Sequence, residues 1–158
     1  MIPERRQFLQ TLLLGTMATG AVVVGLLPAN LLANPLQRPK ALFEITDLSK
    51  ALKAFTQVAV TEPSDQIQIE APEIAGSGSS VRVSVDVALP KVESIALFVE
   101  KNPSPFNCSY VLHPDLEPYI ATSIKMNESS DIIAVVKSDG KYYSARKTVK
   151  ITMGGCGG

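Results

Sequence analysis

The sequence predicts an all-β protein, an immunoglobulin-like antiparallel β-sandwich with a short N-terminal helix and a flexible C-terminal tail. Three observations carry that expectation. Val81, Val83, Val85 and Val87 alternate strictly with Arg82, Ser84, Asp86 and Ala88, the period of a strand with one face on a core. Asp139-Gly140 stands between Ile132–Val136 and Tyr142-Tyr143, a strong signal for a two-residue hairpin. Further short apolar runs follow one another with Pro and Gly turns between them, at the spacing of about seven strands in a sandwich. Trp is absent, and the mix favours Val, Ile and Ser over long helix-forming runs, which also leans towards strands.

At 158 residues the chain has room for a leader and one domain of ordinary size. Residues 1–33 read as a signal peptide. Arg5-Arg6-Gln7-Phe8-Leu9 precedes an apolar run from Leu12 to Leu27 that is broken by Gly15, Thr16, Thr19, Gly20 and Gly25. Paired arginines before a weakly hydrophobic, Gly- and Thr-containing run resemble a twin-arginine export signal. The run is short for a membrane span and is charged only at its N-terminal side. The expected destination is the periplasm, where an exposed thiol is open to oxidation.

Residues 34–65 form a linker and one short amphipathic helix. Thr46 or Asp47 can cap it, Leu48, Leu52 and Phe55 share one face, and Lys50 and Lys53 point outward,. The sandwich occupies residues 66–152. Ile67 and Ile69 alternate with Gln and Glu, a Gly/Ser loop runs from Gly76 to Ser80, and Ser94 to Glu100 is an apolar run of strand length. Asn102-Pro103-Ser104-Pro105 makes a turn. Tyr110 to Leu112, Tyr119 to Met126 and Asp131 to Lys137 continue the pattern, and a last strand runs from about Lys141 to Thr152 with a bend near Arg146-Lys147.

Residues 153–158 are the tail, and the last strand feeds straight into it. Gly154, Gly155, Gly157 and Gly158 surround Cys156. Glycine loses the most backbone freedom on ordering and has nothing to bury, so a packed element is not expected here. A tether is. From Thr152, six residues of extended chain reach roughly 20 Å, and without neighbouring Cβ atoms the sulfur of Cys156 fits a narrow tunnel in another protein. The residues leave other readings open: an incidental thiol, or a disulfide with Cys108, the other cysteine. A single thiolate falls short of a four-ligand metal site.

Other chemistry is thinly represented. Lys+Arg and Asp+Glu number 15 each, so no global charge draws the chain to nucleic acid or an anionic membrane. Lys137, Lys141, Arg146, Lys147 and Lys150 make the final third basic, as a solvated strand face does. His113 is the single histidine, so no Ser/His/Asp arrangement assembles, and it reads as structural. Gly76-Ser77-Gly78 joins two strands and opens no helix, unlike a phosphate loop. Cys108 follows a Pro-rich turn and reads as a small buried residue. Cys156 is the one nucleophile with an argument behind it, and any base must come from another protein. The expected protein is therefore a substrate-bearing subunit and not an enzyme, with no cofactor or metal of its own. The competing class is a secreted β-sandwich adaptor whose terminal cysteine only forms an intermolecular disulfide.

Val149-Lys150-Ile151-Thr152-Met153-Gly154-Gly155-Cys156-Gly157-Gly158 resembles the end of the SoxY family. Ala71-Pro72-Glu73-Ile74-Ala75, and Asn102-Pro103-Ser104-Pro105 after Phe98-Val99-Glu100-Lys101, are similar to that family as well. The resemblance implies a periplasmic sulfur carrier that pairs with SoxZ. It implies that the c-type haem enzyme SoxAX joins thiosulfate oxidatively to Cys156 as an S-thiosulfonate. The hydrolase SoxB then removes sulfate, and in some pathways a sulfane dehydrogenase oxidises the persulfide that remains. The glycines would give the arm its slimness.

Overall fold

The structure, a computed structural model, describes residues 40–58 and 61–152. All of them lie in the unit that begins at Arg38. The leader and the tail fall outside the described residues.

Two helices come first, α1 (Lys40–Phe43) and α2 (Leu48–Thr56). Asp47 caps α2, its carboxylate accepting from the backbone N–H of Lys50 at 2.8 Å. Gln57 closes the helix with a positive φ of 60°, and its N–H donates to the Lys53 carbonyl. Nine strands follow: β1 (Glu62–Pro63), β2 (Ile67–Glu70), β3 (Ile74–Ala75), β4 (Val81–Val87), β5 (Val92–Val99), β6 (Phe106–Val111), β7 (Tyr119–Ile124), β8 (Ser130–Ser138) and β9 (Lys141–Ile151). One sheet has the order β1-β9-β8-β5-β6, with β3 also on β9, and the other has the order β2-β4-β7.

The expected all-β sandwich is present, with two refinements. First, it is not wholly antiparallel, because β1 and β3 both pair parallel with β9. Second, the large sheet is covered on both faces. Its inner face meets the alternating valines of β4 in one core with Ile95, Leu97, Val99, Ile132, Ala134 and Val136. Its outer face carries α1 and α2 over Ala96, Phe98, Phe106, Ile133 and Val135. Phe55 of α2 lies edge-on to Phe98, with ring centroids 5.8 Å apart, and beside Tyr142 at 6.2 Å. Burial on both faces explains why β5 and β8 read as continuous apolar runs while β4 alternates.

The β8–β9 connection is the expected hairpin. Ser138 pairs with Lys141, and Asp139 and Gly140 take φ values of 48° and 76°, the two left-handed positions such a turn requires. β9 is continuous from Lys141 to Ile151, as the sequence led one to expect of the last strand. Arg146 extends between Glu100 (3.5 Å) and Asp131 (3.8 Å).

Candidate functional site

The site expected from the sequence is the tail, and Cys156 with Gly154, Gly155, Gly157 and Gly158 lies outside the described residues. What the structure places is the root on which that tail stands. β9 leaves its hairpin partner at Val149, which pairs with Ser130 and is fully buried. The next residues are then held on both sides. Along one edge, Lys150 N–H donates to Glu73 O (2.9 Å) and Thr152 N–H to Ala75 O (3.1 Å). Along the other, Ile151 N–H donates to the Ser129 hydroxyl at 2.8 Å. The Thr152 hydroxyl donates to the Gly76 carbonyl at 3.0 Å. The backbone is thus hydrogen-bonded up to the last residue before Met153.

This clamp depends on where the chain turns after β2. Ala71-Pro72-Glu73 carries it from the small sheet to the edge of the large one, where β3 docks in register, Ile74 opposite Lys150 and Ala75 opposite Ile151. Pro72 has no N–H to satisfy, so the crossing loses no donor there. The family-like segment Ala71–Ala75 therefore serves as the edge support of the arm's root.

The two other candidate groups sit far from that root. Cys108 is a free thiol, half-buried in β6. Burial pushes its pKa up from the ordinary 9.0, against hydrogen bonds from Tyr110 and the Leu97 backbone that pull it down. Its register level is that of Leu97, Ala134 and Ala145. Three strand spacings separate it from β9, roughly 14 Å, and Thr152 stands seven residues further along, about 23 Å. The separation is therefore on the order of 27 Å. Four residues from Thr152 to Cys156 span about 14 Å, and a disulfide needs Cα atoms within about 7 Å. An intrachain Cys108–Cys156 disulfide does not fit the intact sheet.

His113 is exposed beyond the end of β6 and pairs with Asp115 at 3.3 Å. It lies at the end of the sandwich where β9 begins, opposite the end where β9 finishes, beyond the arm's reach. Among the described residues no group of three His, Cys, Asp or Glu is placed to hold a metal ion. No helix among them is long and apolar enough to cross a membrane.

A β-sandwich whose last strand is pinned at Thr152, shortly before a glycine-framed cysteine in the sequence, defines a class: a folded body followed by a thiol-bearing tail. Comparison with known proteins gives that class its family. Residues 52–156 match the model of the sulfur oxidation protein SoxY. The solved structure of the sulfur carrier protein SoxY from Chlorobium limicola f thiosulfatophilum superposes with a TM-score of 0.61 at 33% identity, covering 67% of this chain and 96% of that one. The chain belongs to the SoxY family. Superoxide reductase (neelaredoxin) from Ignicoccus hospitalis, at 22% identity and a TM-score of 0.51 over 58% of this chain and 94% of that one, shares the fold alone. No curated protein matches the chain by sequence.

Proposed function

We propose that this chain is a periplasmic sulfur carrier of the thiosulfate-oxidising system, exported by the twin-arginine route, with Cys156 as the attachment point. It turns nothing over alone. The observation that carries the reading is the clamped root. Thr152 is fixed by β3 and the Ala75–Gly76 carbonyls, and Met-Gly-Gly-Cys-Gly-Gly follows directly. A fixed base with a thin extension gives a cargo thiol a defined sweep while leaving the body free to dock. The roles of carrier and enzyme are then divided as in other covalent group carriers.

The chemistry balances as follows. The Cys156 thiolate and thiosulfate join through a new S–S bond, giving up two electrons to the haem partner of SoxAX type. Hydrolysis by the SoxB-type partner breaks the sulfane–sulfonate bond; water supplies the oxygen of the released sulfate, and a persulfide anion stays on Cys156. A sulfane dehydrogenase takes electrons from that outer sulfur while water supplies oxygen, leaving a sulfonate on Cys156 for a second hydrolysis to release as sulfate. Otherwise the sulfane sulfur is handed to another acceptor. SoxZ is the expected stable partner. Because no residue close to Cys156 in sequence would act as its base, each step is expected inside the partner that supplies one.

The test is intact mass of the mature protein after incubation with thiosulfate and the partner enzymes. A thiosulfonate adduct is expected on Cys156 and is expected to vanish in Cys156→Ser. An activity that survives Cys156→Ser while a covalent dimer disappears would instead establish the adaptor reading.

A further inference from the structure

The backbone ladder between β8 and β9 stops one step short of the arm's root. Its last pair is Ser130 with Val149. By alternation, Ile151 is the next residue whose N–H and C=O turn towards β8, and no strand residue of β8 is in register with it. A side chain serves both groups instead. The Ser129 hydroxyl accepts from Ile151 N–H at 2.8 Å and donates to Ile151 O at 3.4 Å. The mount from which Ser129 projects, the β7–β8 connection, is itself fastened. Asn102, the first residue of the Asn102-Pro103-Ser104-Pro105 turn, grips it with both ends of its amide. Its Nδ2 donates to Lys125 O at 2.7 Å, and its Oδ1 accepts from Asn127 N–H at 2.9 Å. Met126 between them is fully buried, and its N–H donates to Gly78 O at 2.8 Å. The Ser130 hydroxyl accepts from Lys101 N–H at 3.0 Å. Gly76, in the same loop as Gly78, receives the Thr152 hydroxyl. Three connections are thus tied together around the end of β9.

We propose that Ser129 is a positioning residue for cargo loading: its hydroxyl sets the direction in which the chain leaves β9, and so where the Cys156 sulfur is offered. β3 holds only the opposite edge, through Lys150 and Thr152. A strand end held along one edge can still twist about that edge; Ser129 supplies the second point of hold. Its bonds to Ile151 are exposed, and an exposed hydrogen bond adds little to folding. Direction, by contrast, is amplified by length. Four residues from Thr152 to Cys156 span about 14 Å, so a swing of about 30° at the root moves the sulfur by roughly 7 Å. A reaction inside a partner's site is sensitive to misplacement on a much smaller scale. The effect falls on the encounter between arm and partner, because a sulfur that has entered the site reacts with the same groups as before. It therefore belongs in KM and not in kcat.

The role in loading rests on the carrier reading; the aiming of the terminus does not, and two measurements separate them. In the first, loading by thiosulfate and the partner enzymes is followed with the mature Cys108→Ala chain as the varied substrate. Ser129→Ala is expected to raise KM about fivefold, with kcat and melting unchanged. Ser129→Thr, which keeps the hydroxyl, is expected to restore it. Ser77→Ala, whose hydroxyl bonds to Ser79 within its own loop, is expected to load like the parent chain. The second measurement needs no partner. Nitroxide labels on Cys156 and on Lys53→Cys, an exposed position of α2, report the spread of distances between terminus and body. That spread is expected to broaden in Ser129→Ala and to narrow again in Ser129→Thr. An unaltered KM, a KM that Ser129→Thr fails to restore, a fall in kcat alone, or an unbroadened spread would each overturn the proposal. If the parent chain takes up no thiosulfate while the spread still broadens, the carrier reading falls and the aiming by Ser129 stands.

Discussion

Cys108 and Cys156 share a side-chain type and differ in everything the surroundings supply. Cys108 stands in a strand, with burial raising its pKa; a thiol held neutral is a poor nucleophile. In the Cys156→Ser protein, alkylation of Cys108 by iodoacetamide should run slower than that of a free peptide thiol, with a pH midpoint above the ordinary 9.0. The sign for stability follows. An acid whose folded pKa is raised stabilises the fold fully below its unfolded pKa and loses that contribution as pH climbs through the folded one. Stability should therefore decline on the alkaline side, and less so in Cys108→Ala; an equal decline in both proteins would refute the assignment. The distance between the two cysteines adds a second expectation. Oxidation of the isolated chain should yield intermolecular or capped forms of Cys156, and a mass spectrum showing an internal Cys108–Cys156 bridge would contradict the strand register.

The arm and α2 are elements with opposite design. α2 is held by the Asp47 N-cap, the Gln57 closure and an apolar face, so Asp47→Ala should cost about 1 kcal/mol in denaturant unfolding. The arm should contribute almost nothing to that measurement. Replacing Gly155 and Gly157 with valine is expected to leave melting unchanged but slow thiosulfate loading, since bulk and lost freedom matter only inside a partner. Equal loading rates would remove the case for a slim arm. The helix was legible in the sequence because Leu48, Leu52 and Phe55 repeat at helical spacing over nine residues. β1 and β3 were not, because two residues hold too little chain to show any period. Their existence is set by the free edge of β9, which lies far away in sequence.

Among the described residues, ion pairs join exposed or half-exposed side chains, where such pairs contribute little to stability. Glu93 illustrates this. Hydrogen bonds from Lys137 and the Gly140 N–H lower its pKa, and Glu93 in turn raises that of Lys137. The stabilisation is present above the ordinary carboxylate range and fades as pH falls through the lowered value of Glu93. At the other extreme it is present below the ordinary lysine range and fades as pH rises through the raised value of Lys137. Glu93→Gln should flatten the acid side of the melting profile, with only a small shift at neutral pH; an unaltered acid limb would show the pair to be idle.

The sequence by itself determined the strand class, the helix, the Asp139-Gly140 hairpin and the glycine-framed thiol, because each is written in residues close enough to share a period or a turn. It did not show that β5 and β8 are covered on both faces, since a continuous apolar run fits either a buried strand or a buried helix. Nor did it show the clamp from Ala75 and Gly76 to Thr152, or the hold of Ser129 on Ile151. Those features join segments separated by tens of residues. Their partners are chosen by which sheet edges are left open once the core has closed, and only the tertiary structure decides that.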